Sequence, residues 1–387
     1  MSISAGLGPM GAMGAMGAMG AMGAMGAMGA MGAMGAMGAM GAMGAMGAAA
    51  DFLLPSMALV TAREGTVGAW QGVTSPPAEV VPSAAVVDHW DPLPRLFIFS
   101  SELVCGLSFD TGTSGSIGIE YRGRTDTRRK SLVHMIRPSV ADFVAQLELV
   151  RNYASLRAER VAEVAAQLGG AAGLIGGIVG MHPHRHRNTY EILALVSQAT
   201  ILVEMRAKHA LACRRPDEYS AQIQPMLQTP GHGSLPSGHS TESFVASLVL
   251  EQVFRASKAT GSTVPARDIT DPHFVHLMRI AERMAINRTV AGVHFPADSA
   301  AGLVLARTLS EYYIARFAGI GDVYSRTFDG RGFTGDFGYE DIWTRADQVA
   351  PSSGSAVPRI FRSSTPLRID RSDLLNHLWQ KAVAEWK

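Results

Sequence analysis

A chain of 387 residues with 47% apolar content has ample material for a core, and its formal charge of +1 with 17% charged residues excludes bulk binding to nucleic acid. Two cysteines, Cys105 and Cys213, are too few for a disulfide framework and fit a reducing compartment. From Met10 to Ala48 the chain repeats Met-Gly-Ala with strict period three. Gly at every third place penalises helix, and a triple helix would want Pro, so residues 1–50 are expected to form a disordered low-complexity tail. The stretch has neither the basic start nor the continuous apolar run of a secretory signal, which puts the expected location in the cytoplasm.

Residues 51–137 read as linker and irregular chain, broken by Ser75-Pro76-Pro77 and Asp91-Pro92-Leu93-Pro94. Within them Leu96–Phe99 and Ile117–Tyr121 are short apolar runs that suggest a hairpin across Thr111–Gly115. Arg122–Lys130 is basic and reads as a solvated turn. Residues 138–387 are expected to be a helical catalytic domain. Ser139 caps a long helix with Asp142 in its first turn and Phe143, Leu147, Val150, Ala154, Val161, Val164 and Leu168 along one stripe, ended by Gly169-Gly170. Ala171–Met181 is apolar but too short and Gly-rich to span a membrane. His182, His184 and His186 stand among Pro and Arg, which suits a loop better than a metal site.

A helix from Tyr190 carries Glu204 and Lys208, four apart and able to pair. Arg215 follows Lys208 by seven, which on a continued helix returns both cations to one face, with Cys213 as a buried filler between them. Further helices are expected at Ser240–Lys258, from Asp271-Pro272 to about Thr289, at Phe295–Phe317 and at Ser372–Trp386, with Gly319–Pro366 showing no period.

Chemistry concentrates at Leu235-Pro236-Ser237-Gly238-His239-Ser240, where a hydroxyl, a bare backbone and an imidazole meet a helix start. First-turn N–H groups lack an internal acceptor and favour an anion. Downstream, Arg288 precedes His294, and Asp298 lies four beyond it, a spacing that stacks a carboxylate on the ring. Together Lys208, Arg215, Ser237, Gly238, His239, Arg288, His294 and Asp298 make an oxyanion cage.

These residues and spacings resemble the three-part signature of the phosphatidic-acid phosphatase type 2 and vanadium haloperoxidase superfamily, over Lys208–Asp298. One departure is Asn287, where the family usually has Ser. The resemblance implies an all-α bundle of the vanadium haloperoxidase/acid phosphatase type. It also implies that Lys208, Arg215, Ser237, Gly238 and Arg288 hold the oxygens of phosphate or vanadate. His294 would be the phosphorus nucleophile or the vanadium ligand, and His239 the acid or the peroxide-assisting group. The expected partners are therefore hydrogen peroxide and halide with a vanadate cofactor, or a phosphate ester with none, and a homo-oligomer is compatible with either. His232, five before Ser237, resembles the His of bromide-using relatives. With the lack of an export signal, it tips the expectation toward a haloperoxidase oxidising bromide or iodide. The alternative is a soluble, metal-independent acid phosphatase working through a phosphohistidine.

Overall fold

In the computed structural model the described residues are 57–63, 65–67, 72, 81–124, 126–261, 263–349 and 358–387. The Met-Gly-Ala repeat and part of the expected linker, including Ser75-Pro76-Pro77, lie outside them. Helix α1 (Pro92–Val104) starts on the Asp91-Pro92 signal and takes in Leu96–Phe99, the run expected to be a strand. Its Phe99 and Leu103 are buried, with helical rather than alternating spacing.

The expectation of an all-α chain is overturned by a five-stranded mixed sheet. Strands β1 (Leu107–Asp110), β2 (Ser116–Tyr121), β3 (Lys130–Ile136), β4 (Arg326–Asp329) and β5 (Ile360–Arg362) lie in that order. The hairpin is β1–β2, with Phe109 opposite Ile119, rather than the pairing expected from Leu96–Phe99. Pairing is antiparallel except between β3 and β4, which run parallel with Met135 opposite Phe328. The whole helical core is inserted between those two strands, so the sheet joins the two ends of the described chain. Strands of three to seven residues, two of them within the unperiodic Gly319–Pro366, give too little alternation to register as β.

Helix α2 (Val140–Tyr153) begins as the sequence indicates: Ser139 Oγ accepts from the Asp142 N–H at 3.2 Å, and the Asp142 carboxylate accepts from the Ser139 N–H at 2.8 Å. The expected long helix is broken, however, by a 3₁₀ turn at Ala154–Leu156 before α3 (Arg157–Ala166), and Val161 of the proposed stripe is 53% exposed. Helix α4 is Ala171–Val179. Among the described residues no single helix is long and apolar enough to cross a membrane.

The core is built on α5 (Arg187–Leu211), α7 (Gly238–Ser257), α8 (Pro272–Val290) and α9 (Pro296–Ala318), with α6 (Pro216–Tyr219) a single turn between the first two. Helix α9 is buried on nearly all sides, packed by α7 and by the sheet. Gly302 lets it come close to the start of α7, since a Cβ there would lie 2.8 Å from Ser240 Cβ and 3.0 Å from the Ser237 carbonyl. Ser240 Oγ donates to the Ser299 carbonyl at 2.8 Å across the same contact. The chain closes with α10 (Tyr339–Asp347) and α11 (Asp373–Ala384), whose buried Leu375, Leu378 and Trp379 each contribute about 2 kcal/mol of burial.

Candidate active site

Four chain segments converge on one cavity: the end of α5 with the loop after it, the start of α7, the end of α8, and the turn from α8 into α9. Lys208, Arg215, His232, Gly238, His239, Arg288 and His294 line it, in a space of about 520 Å³ that includes its solvent-open part. Lys208 and Arg215 do not share a helix face as the spacing suggested. Helix α5 stops at Leu211 because Ala212 turns left-handed, φ 48°, and Arg215 caps α6 from outside α5. The guanidinium reaches back to the cavity instead.

The three cations bond to neutral partners. Lys208 Nζ donates to the carbonyls of Gly233, Ser234 and Pro236, and the expected Glu204–Lys208 salt bridge gives way to these contacts. Arg215 donates to the carbonyls of His232 (3.1 Å) and Val293 (2.8 Å). Arg288 donates to the Val164 carbonyl and, at 2.6 Å, to Gln167 Oε1, while its buried Nε has no partner. Burial pushes Arg215 and Arg288 down to about 10 and Lys208 to about 8, with Glu204 opposing the shift on the lysine. Buried cations whose hydrogen bonds go to neutral groups prefer a ligand that brings negative charge.

The imidazoles are fixed by what surrounds them. His294 Nδ1 lies 2.9 Å from Asp298 Oδ2, an oxygen that also accepts from the Phe295 N–H at 2.9 Å. Its Nε2 is 3.2 Å from Arg215 Nη1. A guanidinium only donates, so the proton is assigned to Nδ1, facing Asp298, and the Nε2 lone pair accepts from Arg215 at the cavity wall. Burial, Arg215 and Lys208 hold His294 well below the usual imidazole value, and burial with Arg288 does the same to His239. His239 Nε2 is 3.5 Å from Arg288 Nη1. The His232 ring turns its Nδ1 to Arg215 Nη2 at 3.2 Å and leaves a buried Nε2 without a partner.

Two of the candidate residues sit behind the wall. Ser237 is the N-cap of α7, its Oγ accepting from the Ser240 N–H at 3.4 Å and its own N–H donating to the Asp298 carbonyl. Asp298 stands behind His294, with Ser234 Oγ 3.4 Å from its other oxygen. Asn287 turns away from the cage to Arg160 and Glu163.

Several positioning residues escape a reading by motif. Arg157 ties the loop after α6 to the turn after α8 through the carbonyls of Ile223, Gln224 and Val290. Gln167 aims Arg288. Gln146, fully buried, accepts from the Ala297 N–H at 2.9 Å and donates to Phe333 O, fixing the start of α9. Its position between Phe143 and Val150 on an apolar stripe was the available signal. The His182–His186 segment carries a structural contact, His186 stacking on Trp386 at 4.1 Å. Among the described residues no group of three or more His, Cys, Asp or Glu is placed to hold a metal ion.

Residues 190–320 match the family model of the PAP2 superfamily. That span holds every lining residue named above. A stretch of 102 residues, 26% of this chain, is 28% identical to the decaprenylphosphoryl-5-phosphoribose phosphatases of two Mycobacterium tuberculosis strains. The chain spans 46% of the length of these curated relatives.

Proposed function

We propose, from the PAP2 superfamily match across the cavity and from relatives named as phosphatases, that this chain hydrolyses phosphomonoesters without a metal, through a phosphohistidine on His294. The observation that carries the reading is the ring of His294. Its proton faces Asp298, its Nε2 lone pair meets Arg215 at the cavity wall, where an anion can take over the guanidinium, and burial keeps the ring uncharged. A neutral, oriented imidazole is a nucleophile.

In this reading Lys208, Arg215, Arg288 and the first-turn N–H groups of α7 neutralise the phosphoryl oxygens. His294 Nε2 attacks phosphorus, the ester P–O bond breaks, and the leaving oxygen takes a proton from His239. Water then attacks the phosphoimidazole and gives its proton to His239. The P–N bond breaks to release phosphate, and His294 returns to its neutral form. His239 must carry a proton for the first step, and its depressed value means that activity falls as pH rises. An acidic optimum follows. Leu168, Met205 and Leu227 supply apolar wall for the organic part of the ester.

Vanadate fits the same donors, being an oxyanion of the same shape and charge class, and is expected here as a competitor of phosphate. The reported relatives are named as phosphatases, which favours hydrolysis over the halide oxidation expected from the sequence. Hydrolysis of a chromogenic phosphomonoester in the presence of a chelator, with radiolabel from the phosphoryl group trapped on His294, tests the proposal. Absent hydrolysis, together with vanadate-dependent bromination by hydrogen peroxide, overturns it in favour of the haloperoxidase.

A further inference from the structure

The chemistry above leaves two acids of the cavity without a role. Glu204 of α5 and Glu242 of α7 both line the cavity. Both press on Gly238, where a Cβ would lie 2.8 Å from Glu204 Oε1 and 3.3 Å from Glu242 Oε1. Glycine at this position thus makes room for two carboxyls as well as for a ligand. Glu204 is 1% exposed and its Oε2 is without a hydrogen-bond partner, while Glu242 takes Ser197 Oγ at 3.2 Å.

Elsewhere among the described residues Asp88 Oδ1 and Asp217 Oδ1 are also buried without a hydrogen bond, but both residues are half-buried and neither lines the cavity. Asp298 accepts from His294 and Phe295, and Glu311 accepts from Arg326 through both oxygens. A carboxyl oxygen buried without a donor is costly, so its presence in the wall of an oxyanion cage points to a ligand that brings a hydrogen-bonding proton. Two neighbouring carboxyls in a low-dielectric wall resist double ionisation and together retain a proton. Burial raises Glu204 to about 7 against the pull of Lys208 and Arg215, and burial with the charge of Glu204 holds Glu242 well above the usual carboxylate value. The other charged or titratable groups around the pair are His232, His239, Arg288 and His294 of the cavity and Tyr313 of α9.

Resting on the oxyanion reading, we propose that Glu204 and Glu242 form a proton-sharing carboxyl pair that accepts a hydrogen bond from a protonated oxygen of the bound anion, and so selects phosphate over sulfate. Phosphate and its monoesters carry an ionisable proton near neutral pH. Sulfate carries none and sets its lone pairs against those of the carboxylate. A site built to receive a proton rejects an isostere lacking it far more strongly than shape alone does.

The test is calorimetric titration of the full chain with inorganic phosphate and with sulfate, in the wild type and in Glu204→Gln and Glu242→Gln. Because the readout is a ratio of two affinities within one protein, a general loss of folded material cancels. The wild type is expected to favour phosphate by at least about tenfold, the size of one charge-assisted hydrogen bond. Glu204→Gln, which replaces an acceptor by an amide donor, should tighten sulfate, weaken phosphate and bring the ratio near one. Glu242→Gln should lower it less. A wild type that binds both anions equally, or a Glu204→Gln ratio equal to the wild type's, overturns the carboxyl pair while leaving the cage standing. A wild type that binds neither anion overturns both readings.

Discussion

Arg326 and Arg288 are both buried arginines, yet the regions around them treat the charge in opposite ways. At the junction of the sheet with α9, Arg326 gives Nη1 and Nη2 to the two oxygens of Glu311, each at 2.7 Å, and also reaches Asp347. Burial works against its charge, but these carboxylates hold its pKa above the ordinary value. In the cavity, Arg288 has an amide oxygen, a backbone carbonyl and an imidazole for company, and burial lowers its pKa. A fork–fork pair completes itself within the fold. A guanidinium held by neutral groups is completed from outside, and the difference separates a cation that maintains architecture from one kept for a ligand.

The sharpest way to break this comparison is through the cavity's nucleophile. His294→Ala should lower kcat for phosphomonoester hydrolysis by about 10⁴-fold or more while leaving the thermal midpoint within a few degrees of the wild type, as expected when a group that acts chemically is removed without opening the core. Turnover close to wild type would remove His294 from the mechanism. Arg326→Met is the opposite experiment. It takes the bidentate partner from Glu311, whose side chain is 16% exposed and keeps only the Tyr324 N–H and Arg307 at 3.8 Å, and should cost about 3 kcal/mol of stability in denaturant titration with little change in phosphate affinity. A variant as stable as the wild type would show that the ion pair does not hold the sheet to α9.

A ligand sharpens the contrast from the other side. Phosphate at a hundred times its Kd should stabilise the wild type by about 2.7 kcal/mol, and Arg326→Met by the same increment, because the gain comes from the cavity alone. Arg288→Met should lose most of that gain and, with an unpaired buried charge removed, start from equal or higher stability without ligand. Differential scanning calorimetry with and without phosphate reads both effects. An equal phosphate shift in Arg288→Met would place the anion elsewhere.

How much of this was legible in the sequence follows from the same physics. The cage residues are chemically rare types at fixed spacing around helix ends, so Lys208, Arg215, Gly238, His239, Arg288 and His294 could be named before any fold was known, and the spacing of His294 to Asp298 gave their contact. Elsewhere local pattern is outvoted by context. Ala212 ends α5 in a left-handed conformation usually left to glycine or asparagine, so nothing in the sequence separates Lys208 and Arg215 into different segments. Strand β4 pairs with β3 across the whole helical core, and a four-residue Arg-Thr-Phe-Asp carries no period by which to be seen. Gln167 reads as a neutral helix residue because its value lies in a contact made far along the chain, and Gln146 shows only as a polar residue on an apolar stripe.

The smallest expected effect tests whether a carboxylate at the surface follows the same division. Glu385, just beyond α11, accepts from the N–H groups of Asn188 and Thr189 at 2.7 and 2.8 Å and from both their side chains, which makes it the cap of the helix that carries Lys208. It satisfies orphan donors and places negative charge at the positive end of α5. Glu385→Ala should cost about 1 kcal/mol, visible as a small drop in thermal midpoint, and Glu385→Gln should recover part of it by keeping an acceptor. Since α5 spans the distance between this cap and the cage, phosphate affinity should not move in either variant. A change in affinity that tracks the change in midpoint would mean that the end of α5 bearing Lys208 responds to how its start is held, and that the cage is less rigid than its hydrogen bonds indicate.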